Sequence, residues 1–168
     1  EVFESHLDAS LKRLKTDYLD AYYIHGIAGN QIAMLKDPSV RKAFETLKSK
    51  GKIKFAGLSC HDAMLVEILD VAAEVGWIDQ VMVKYDFRDV NQDGLKRSID
   101  KAAKANLGLV AMKTQGGAAT LAETYNKILG QGVKKEVAAI KTVWADPRMH
   151  VVVSEMTTRS DLRENIAA

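Results

Sequence analysis

A nearly continuous apolar run over residues 18–24 constrains the fold of this chain more than any other stretch. Its members are aromatic or aliphatic except for Asp20, and the turn-forming residues Gly26 and Asn30 follow it. A short apolar run that ends in turn residues is typical of a strand buried on both faces, as in a parallel sheet. His25 stands directly after the run, where parallel sheets place their ligand sites. Taken alone, His25 fits an ordinary polar residue at a strand end equally well.

Composition excludes several classes of protein. The 24 basic and 22 acidic residues are scattered along the chain, and without a basic block we expect no nucleic-acid partner. The single cysteine, Cys60, excludes an internal disulfide and fits a reducing compartment. The sequence contains neither a signal peptide nor an apolar run long enough to span a membrane. We therefore predict a cytoplasmic protein with no membrane partner.

Strand patterns alternate with helix patterns along the whole chain. We predict strands over residues 18–24, 52–59, 80–85, 109–113 and 150–153. The helical patterns cover residues 2–14, 38–50, 95–105, 133–144 and 158–168, with one more helix between Asp62 as N-cap and Gly76, a short turn over 31–35, and a broken helical region over 118–132. Strands separated by helices predict right-handed crossovers and a parallel sheet.

Five such strands fit either a small doubly wound sheet or part of a (β/α) eight-stranded barrel, and periodicity alone does not choose between them. No Gly-x-Gly-x-x-Gly segment and no P-loop favours a nucleotide-binding doubly wound sheet. The chain begins inside an amphipathic helical pattern, in which Phe3, Leu7 and Leu11 recur at helical spacing. We therefore expect a fragment of a larger domain.

Polar residues follow each predicted strand, so a parallel sheet would collect them at one face as a pocket. They are His25, Ser59, Cys60, His61, Tyr85, Asp86, Lys113, Thr114, Gln115, Ser154 and Glu155. No local His-x-x-x-His or Cys-x-x-Cys pair anchors a metal site on His25, His61, Cys60 and Asp86, and we predict none.

Two of these residues could act as nucleophiles. Cys60 could be activated by a histidine, although a buried, inert cysteine is the better interpretation. Lys113 could form a Schiff base, although a lysine that reaches solvent or an anionic ligand is the better interpretation. Gly116 and Gly117 would let backbone amides approach a phosphate, which is a weak signal by itself.

The segment SLKRLKTDYLDAYYIH over residues 10–25 resembles the aldo-keto reductases, in which a similar helix leads into the fourth barrel strand. The segment GKIKFAGLS over residues 51–59 resembles the family's fifth strand, and LVAMKT over 109–114 resembles its seventh. REN over 163–165 is similar to the family's last barrel helix. The resemblance covers the whole chain and implies an α/β fold: a partial (β/α)8 TIM barrel with five parallel strands that alternate with helices.

The resemblance also implies an activity, NAD(P)H-dependent reduction of a small-molecule carbonyl substrate to an alcohol. His25 matches the family's active-site histidine, which donates a hydrogen bond to the substrate carbonyl. Ser59 matches the serine that holds the nicotinamide carboxamide. Glu164 and Asn165 match residues that touch the adenine end of the cofactor.

Several positions of the implied cofactor site depart from the family pattern. Cys60 replaces the carboxamide-binding asparagine, and Met82 stands where we place the glutamine of the sixth strand. Met112, followed by Lys113, stands where the family has a tyrosine that stacks on the nicotinamide. Glu155 stands where the family has a lysine on the 2′-phosphate, and its carboxylate would repel that phosphate. We therefore expect NADP or NAD as the cofactor, with a weak preference for NADP or a preference for NADH.

The resemblance implies that the family's catalytic tyrosine, lysine and aspartate lie on the first three strands, upstream of Glu1. We therefore interpret residues 1–168 as a single incomplete barrel domain without normal reductase activity by itself. Two alternatives remain: a cofactor-binding or interaction module that has lost catalysis, and another barrel enzyme such as a Schiff-base lyase that uses Lys113. We also expect self-association through the two exposed strand edges of an incomplete barrel.

Overall fold

A computed structural model describes residues 2–117 and 134–167 of the chain. The elements are α1 (Val2–Leu14), β1 (Leu19–Ile24), a 3-10 turn (Gly29–Gln31), α2 (Ile32–Leu35), α3 (Pro38–Ser49), β2 (Ile53–Cys60), α4 (Leu65–Val75), β3 (Gln80–Lys84), α5 (Asp93–Lys104), β4 (Gly108–Met112), α6 (Lys135–Trp144), β5 (Val151–Val152) and α7 (Arg159–Ile166). The broken helical region predicted over residues 118–132 lies outside the described residues.

The five strands form one parallel sheet in the order β1-β2-β3-β4-β5, as the alternation of strands and helices predicts. Each strand lies beside the next one along the chain, so every crossover passes through a helix on the same side of the sheet. The α/β architecture with five parallel strands is confirmed, and this sequential order is that of a barrel segment rather than a doubly wound sheet.

The helix ends follow the sequence signals with one exception. Asp37 caps α3 by accepting a hydrogen bond from the Ser39 backbone N–H at 2.8 Å, and Pro38 occupies the first turn. Asp62 does not cap α4 directly, because its carboxylate accepts from the Met64 backbone N–H at 2.9 Å and forms a turn first. The helix therefore begins at Leu65 instead of directly after Asp62.

The sheet has two unlike faces, which we call the helix-facing side and the open face. Side chains of Leu58, Cys60, Val81, Val83, Leu109 and Ala111 lie on the helix-facing side and belong to the core. Because side chains alternate along a strand, the intervening residues lie on the open face. They are Tyr23, Phe55, Gly57, Ser59, Gln80, Met82, Lys84, Val110, Met112 and Val151. Phe55 is 45% exposed and Val151 46% exposed, so this face is not covered within the described residues.

The two outer strands of the sheet, β1 and β5, each have a single strand neighbour among the described residues. β5 is shorter than the predicted 150–153, but His150 and Val153 still donate backbone hydrogen bonds to Leu109 and Ala111, at 2.9 and 2.8 Å. Self-association through these edges stays a prediction.

Candidate active site at the carboxyl ends of the strands

The turn after β1 is bonded to the end of β2, and this places His25 next to Ser59. The Ser59 hydroxyl oxygen accepts a hydrogen bond from the Gly26 backbone N–H at 2.9 Å, and the Ser59 carbonyl accepts from the Ile27 N–H at 2.9 Å. Gly26 has a φ of +66°, a conformation that glycine adopts at little cost. His25 is exposed, whereas Ser59 is buried. The two predicted site residues thus lie together, one held rigidly and the other facing solvent.

The two methionines predicted to line the cofactor site lie on the open face, the same face as Ser59. Met82 on β3 pairs in register with Ser59, and Met112 on β4 pairs with Lys84. Both methionines are partly buried. Their thioethers are soft, adaptable groups that can pack against a planar ring.

The open face carries a polar pair that the sequence reasoning missed. The Tyr23 hydroxyl donates a hydrogen bond to Gln80 Oε1 at 2.5 Å, across the intervening strand. The bond is possible because the tyrosine ring lies over Gly57, where a Cβ would come within 2.8 Å of the ring. Gly57 inside a strand predicts a close approach, but nothing in the local sequence identifies Gln80 as the partner of Tyr23.

Cys60 lies on the opposite side of the sheet from Ser59. Its side chain is 0% exposed and belongs to the hydrophobic core, and burial raises the pKa of the thiol. A buried thiol with a raised pKa is a poor nucleophile, in agreement with the inert cysteine favoured by the sequence. Its assignment as a cofactor-binding residue stays a prediction.

The loop after β3 is organised by two buried carboxylates. Asp86 accepts hydrogen bonds from Arg88 Nε and Nη2 at 3.0 and 2.6 Å, and Asp89 accepts from Lys84 Nζ at 3.1 Å. Burial raises the pKa of the Asp86 carboxyl, but hydrogen bonds from Arg88 outweigh burial and the pKa is lowered overall. Asp86 therefore remains charged and paired with Arg88, and Asp89 is paired with Lys84.

Tyr85, also counted among the strand-end polar residues, does not reach the open face. Its buried hydroxyl donates to Asp146 Oδ2 at 2.7 Å. Arg148 donates to the two oxygens of the same carboxylate at 2.8 and 2.6 Å. Tyr85 and Asp146 thus form a structural contact between β3 and the segment before β5, away from the candidate site.

The segment after β4 packs against the loop that follows β3. Lys113 is exposed and has a φ of +56°, which is uncommon for a residue other than glycine. A Cβ at Gly117 would lie 2.7 Å from Arg88 Nη1, and one at Gly116 would lie 3.2 Å from Asp86 Oδ2. A side chain at either glycine would crowd this ion pair, and the φ of +69° at Gly117 also favours glycine. Any phosphate-binding role for them stays a prediction.

Each of the two residues implied at the adenine end accepts a hydrogen bond from another polar side chain. Glu164 accepts from Lys134 Nζ at 2.5 Å, and this bond and one from Ser160 lower the pKa of its carboxyl. Asn165 Oδ1 accepts from Gln115 Nε2 at 3.1 Å. The Asn165 Nδ2 atom is buried and has no hydrogen-bond partner among residues 2–117 and 134–167. Glu155, the predicted site of cofactor discrimination, is exposed.

Comparison with protein families decides the relationship. The model of the aldo/keto reductase family matches residues 1–168, the whole length of the chain. The chain belongs to the aldo/keto reductase family. The resemblance seen in the sequence is therefore confirmed, and with it the assignment to a family of oxidoreductases. A comparison with curated proteins finds no match.

Solved structures of similar fold are themselves aldo-keto reductases. A protein from Pseudomonas aeruginosa assigned as an aldo-keto reductase superposes with a TM-score of 0.72 at 24% identity, over 98% of this chain and 56% of its own. An aldo/keto reductase from Klebsiella pneumoniae, in complex with NADP and acetate, has a TM-score of 0.66 at 20% identity, over 96% of this chain and 57% of its own. The chain spans little more than half of each structure, so the partial barrel is confirmed.

Two kinds of feature are absent from residues 2–117 and 134–167. Within them, no helix is both long and apolar enough to cross a membrane. The same residues contain no group of three or more histidine, cysteine or acidic side chains arranged to hold a metal ion.

Proposed function

We propose that this chain forms the cofactor-binding part of an NAD(P)H-dependent carbonyl reductase. The observation that carries the proposal is the hydrogen bond from Gly26 to Ser59, which brings the two residues matched to the substrate site and the nicotinamide site together. Membership of the aldo/keto reductase family supports the reaction class. The Klebsiella pneumoniae relative, crystallised with NADP, supports the type of cofactor.

Two atoms of the structure fit a nicotinamide cofactor. Ser59 Oγ accepts its hydrogen bond from Gly26, so its own hydrogen remains able to donate to a carboxamide oxygen. Asn165 Nδ2 is a buried donor without a partner, and such groups call for an acceptor that the described residues do not supply. An adenine ring nitrogen is such an acceptor. Ser59 and Asn165 would thus hold the two ends of the cofactor.

The chain's own residues bind and orient the reactants. When bound, the cofactor would supply a hydride to the carbonyl carbon. His25 donates a hydrogen bond to the carbonyl oxygen and thereby fixes which face of the substrate is presented. Met82 and Met112 pack beside the nicotinamide site and keep water away from it.

Glu155 makes the choice between the two cofactors a separate part of the proposal. An exposed carboxylate at this position repels a 2′-phosphate and tolerates a ribose hydroxyl. We therefore propose that NADH binds at least as well as NADPH, or that the preference for NADPH is small. An affinity for NADPH at least tenfold higher than for NADH would contradict this.

The test of the proposed function is cofactor binding by the chain, measured as quenching of tryptophan fluorescence. We expect saturable binding of NADH and NADPH, and weakening of about tenfold in a Ser59→Ala variant, because one charge-free hydrogen bond and the anchoring of the His25 turn are lost. Ser49→Ala is the matched control, since this serine is exposed at the end of α3. Absence of binding by the unaltered chain, or equal loss in both variants, would refute the proposal.

A module that binds cofactor without catalysis is the second candidate. The observation that favours it is the burial of Cys60, which leaves no side chain of this residue for the carboxamide. Cofactor binding without oxidation of NADH or NADPH on addition of an aldehyde is the outcome expected of both candidates, so it does not separate them. Measurable oxidation by the 168-residue chain would exclude it. The Schiff-base alternative gains no support, because Lys113 is exposed and Schiff-base lysines are commonly desolvated.

A further inference from the structure

Lys84 occupies an unusual position on the open face of the sheet. It lies at the carboxyl end of β3, the central strand, and pairs in register with Met112. It shares this face with Ser59, because Ser59 pairs with Met82, two residues before Lys84. A charged side chain on the inner face of a barrel sheet is costly to bury unless an opposite charge compensates it, so its presence suggests a functional role.

Two carboxylates from the following loop hold the Lys84 ammonium group. Nζ lies 3.1 and 3.3 Å from the two oxygens of Asp89 and 3.9 Å from Asp86 Oδ2. The side chains of Asp89 and Asp86 are 5% and 0% exposed, whereas that of Lys84 is 36% exposed. Both carboxylates are therefore buried, whereas part of the lysine side chain remains open to solvent.

The rest of the loop keeps the two carboxylates in place. Asp89 also accepts hydrogen bonds from the Asp86 backbone N–H at 3.0 Å and from Gln92 Nε2 at 2.8 Å. Arg88 forms a two-point bond with Asp86, so the positive charge of Lys84 is not the sole compensation for that carboxylate. A lysine held in this way has lost its rotamer freedom before any ligand arrives, and preorganisation of this kind raises affinity.

We propose that Lys84 binds the negatively charged group of the substrate and so selects carbonyl compounds that carry a carboxylate or a phosphate. Adjacent strands lie about 4.8 Å apart, and Lys84 lies on β3, two strands from β1, which ends immediately before His25. Two residues along a strand advance about 6.6 Å, the offset from Met82 to Lys84. The ammonium group therefore lies within reach of a small molecule whose carbonyl is at His25. The inference rests on the proposed function for the position of that carbonyl.

A different source of the same anionic chemistry is the cofactor, whose phosphates are also negatively charged. The two sources predict different losses when Lys84 is changed. If the lysine binds the substrate, the affinity for a carboxylate ketone falls and the affinity for NADPH does not. If it binds the cofactor, the reverse holds, and the proposal is overturned.

The experiment compares two ketones of similar size, 4-oxopentanoate with a carboxylate and 2-pentanone without charge. Ketones are used because aldehydes react with lysines more readily. Binding to the isotope-labelled chain is followed by NMR chemical shifts. We expect the unaltered chain to bind 4-oxopentanoate more tightly, and Lys84→Met to weaken this binding at least fivefold while 2-pentanone changes less than twofold.

Three further variants separate charge from structure. Lys84→Arg keeps the charge and should bind 4-oxopentanoate within about threefold of the unaltered chain. Lys54→Met is the matched control, because Lys54 is an exposed lysine at the other end of the sheet, bonded to Asp20. If Lys84→Met fails to fold with Asp89 left unpaired, the double variant Lys84→Met, Asp89→Asn removes both charges and tests the same loss of binding.

Each outcome decides the proposal. Equal binding of the two ketones by the unaltered chain overturns it, as does an equal loss in Lys54→Met. NADPH titration of the same samples tests the proposed function separately. If the chain does not bind NADPH but still binds the charged ketone more tightly through Lys84, only the proposed function is refuted. Intact NADPH binding without charge selectivity would refute only the role of Lys84.

Discussion

Ser59 and Cys60 are neighbours in the chain, but they lie on opposite faces of the sheet and in unlike surroundings. Ser59 on the open face bonds to the turn that carries His25, and the same face presents Tyr23, Met82 and Lys84. Cys60 on the helix-facing side lies in the hydrophobic core. The comparison teaches that core packing determines which residues occupy the helix-facing side. The open face instead carries polar groups that contribute little to the hydrophobic core.

The largest expected effect is the truncation of a core side chain on the helix-facing side. Leu58 is 0% exposed, so Leu58→Ala should lower the free energy of unfolding by about 2–5 kcal/mol, because a cavity remains. Met82→Ala on the open face should cost less, since Met82 is only partly buried. Urea unfolding measures both. Equal losses would mean that the two faces are packed alike, contrary to the comparison.

The second effect comes from the buried bond between Tyr85 and Asp146. Tyr85→Phe should lower the free energy of unfolding by about 1.5–3 kcal/mol, because a hydrogen bond to a charged group is lost inside the core. Urea unfolding of Tyr85→Phe beside Tyr18→Phe provides the measurement, since Tyr18 is exposed. A loss no larger than in the control would show that this bond contributes little.

The same pair predicts a dependence of stability on pH. Burial raises the pKa of Asp146, but the hydrogen bonds from Arg148 and Tyr85 outweigh it and lower the pKa from 3.8 to about 2. A carboxyl with a lowered folded-state pKa stabilises the fold above pH 3.8, and this stabilisation is lost as the pH falls from 3.8 towards 2. Unfolding curves over this range should show a smaller loss in Asp146→Asn than in the unaltered chain, because other carboxyls such as Asp86 also have a lowered pKa and contribute in both.

The third prediction concerns the one departure from the family pattern that lies in the core. Cys60→Asn places an amide among apolar side chains, and we expect a loss of about 1–3 kcal/mol in the free energy of unfolding. Because asparagine is the carboxamide-binding residue of the family, the resemblance implies in contrast that this change tightens cofactor binding. Thermal unfolding with and without NADPH separates the two effects. A variant that is as stable as the unaltered chain and binds NADPH more tightly would mean that residue 60 can turn towards the open face.

The sequence reveals the fold better than it reveals the two faces. The apolar run over residues 18–24 predicts a strand correctly, but its expected burial on both faces is wrong among the described residues, since only Ile24 of β1 is buried. A continuous run also has no alternation from which to assign faces. In β3 the alternation is visible, since Gln80, Met82 and Lys84 are separated by two valines. The order of strands follows from short crossovers, which local patterns reveal.

The contacts that organise the site join residues far apart in the chain, which local patterns cannot show. Tyr23 meets Gln80, and Tyr85 meets Asp146, at separations of 57 and 61 residues. The position of His25 beside Ser59 could be anticipated, because the ends of adjacent parallel strands meet. Lys84 and Asp89 are only five residues apart in the chain. The sequence nevertheless does not reveal that the carboxylates of Asp86 and Asp89 are both buried.

The smallest expected effect on stability is that of Glu155→Lys. This substitution tests a position outside the hydrophobic core, where side-chain packing does not restrict the residue. Glu155 is exposed, so the unfolding midpoint should stay unchanged. The charge reversal should nevertheless raise the affinity for NADPH relative to NADH by about tenfold or more, because an ammonium group attracts the 2′-phosphate that a carboxylate repels. Fluorescence titration of both cofactors gives the ratio, and Glu67→Lys, at an exposed position on α4, controls for the change in net charge. An unchanged ratio would show that residue 155 does not lie near the phosphate, and the proposed cofactor choice would lose its basis while the open face could still bind the nicotinamide end.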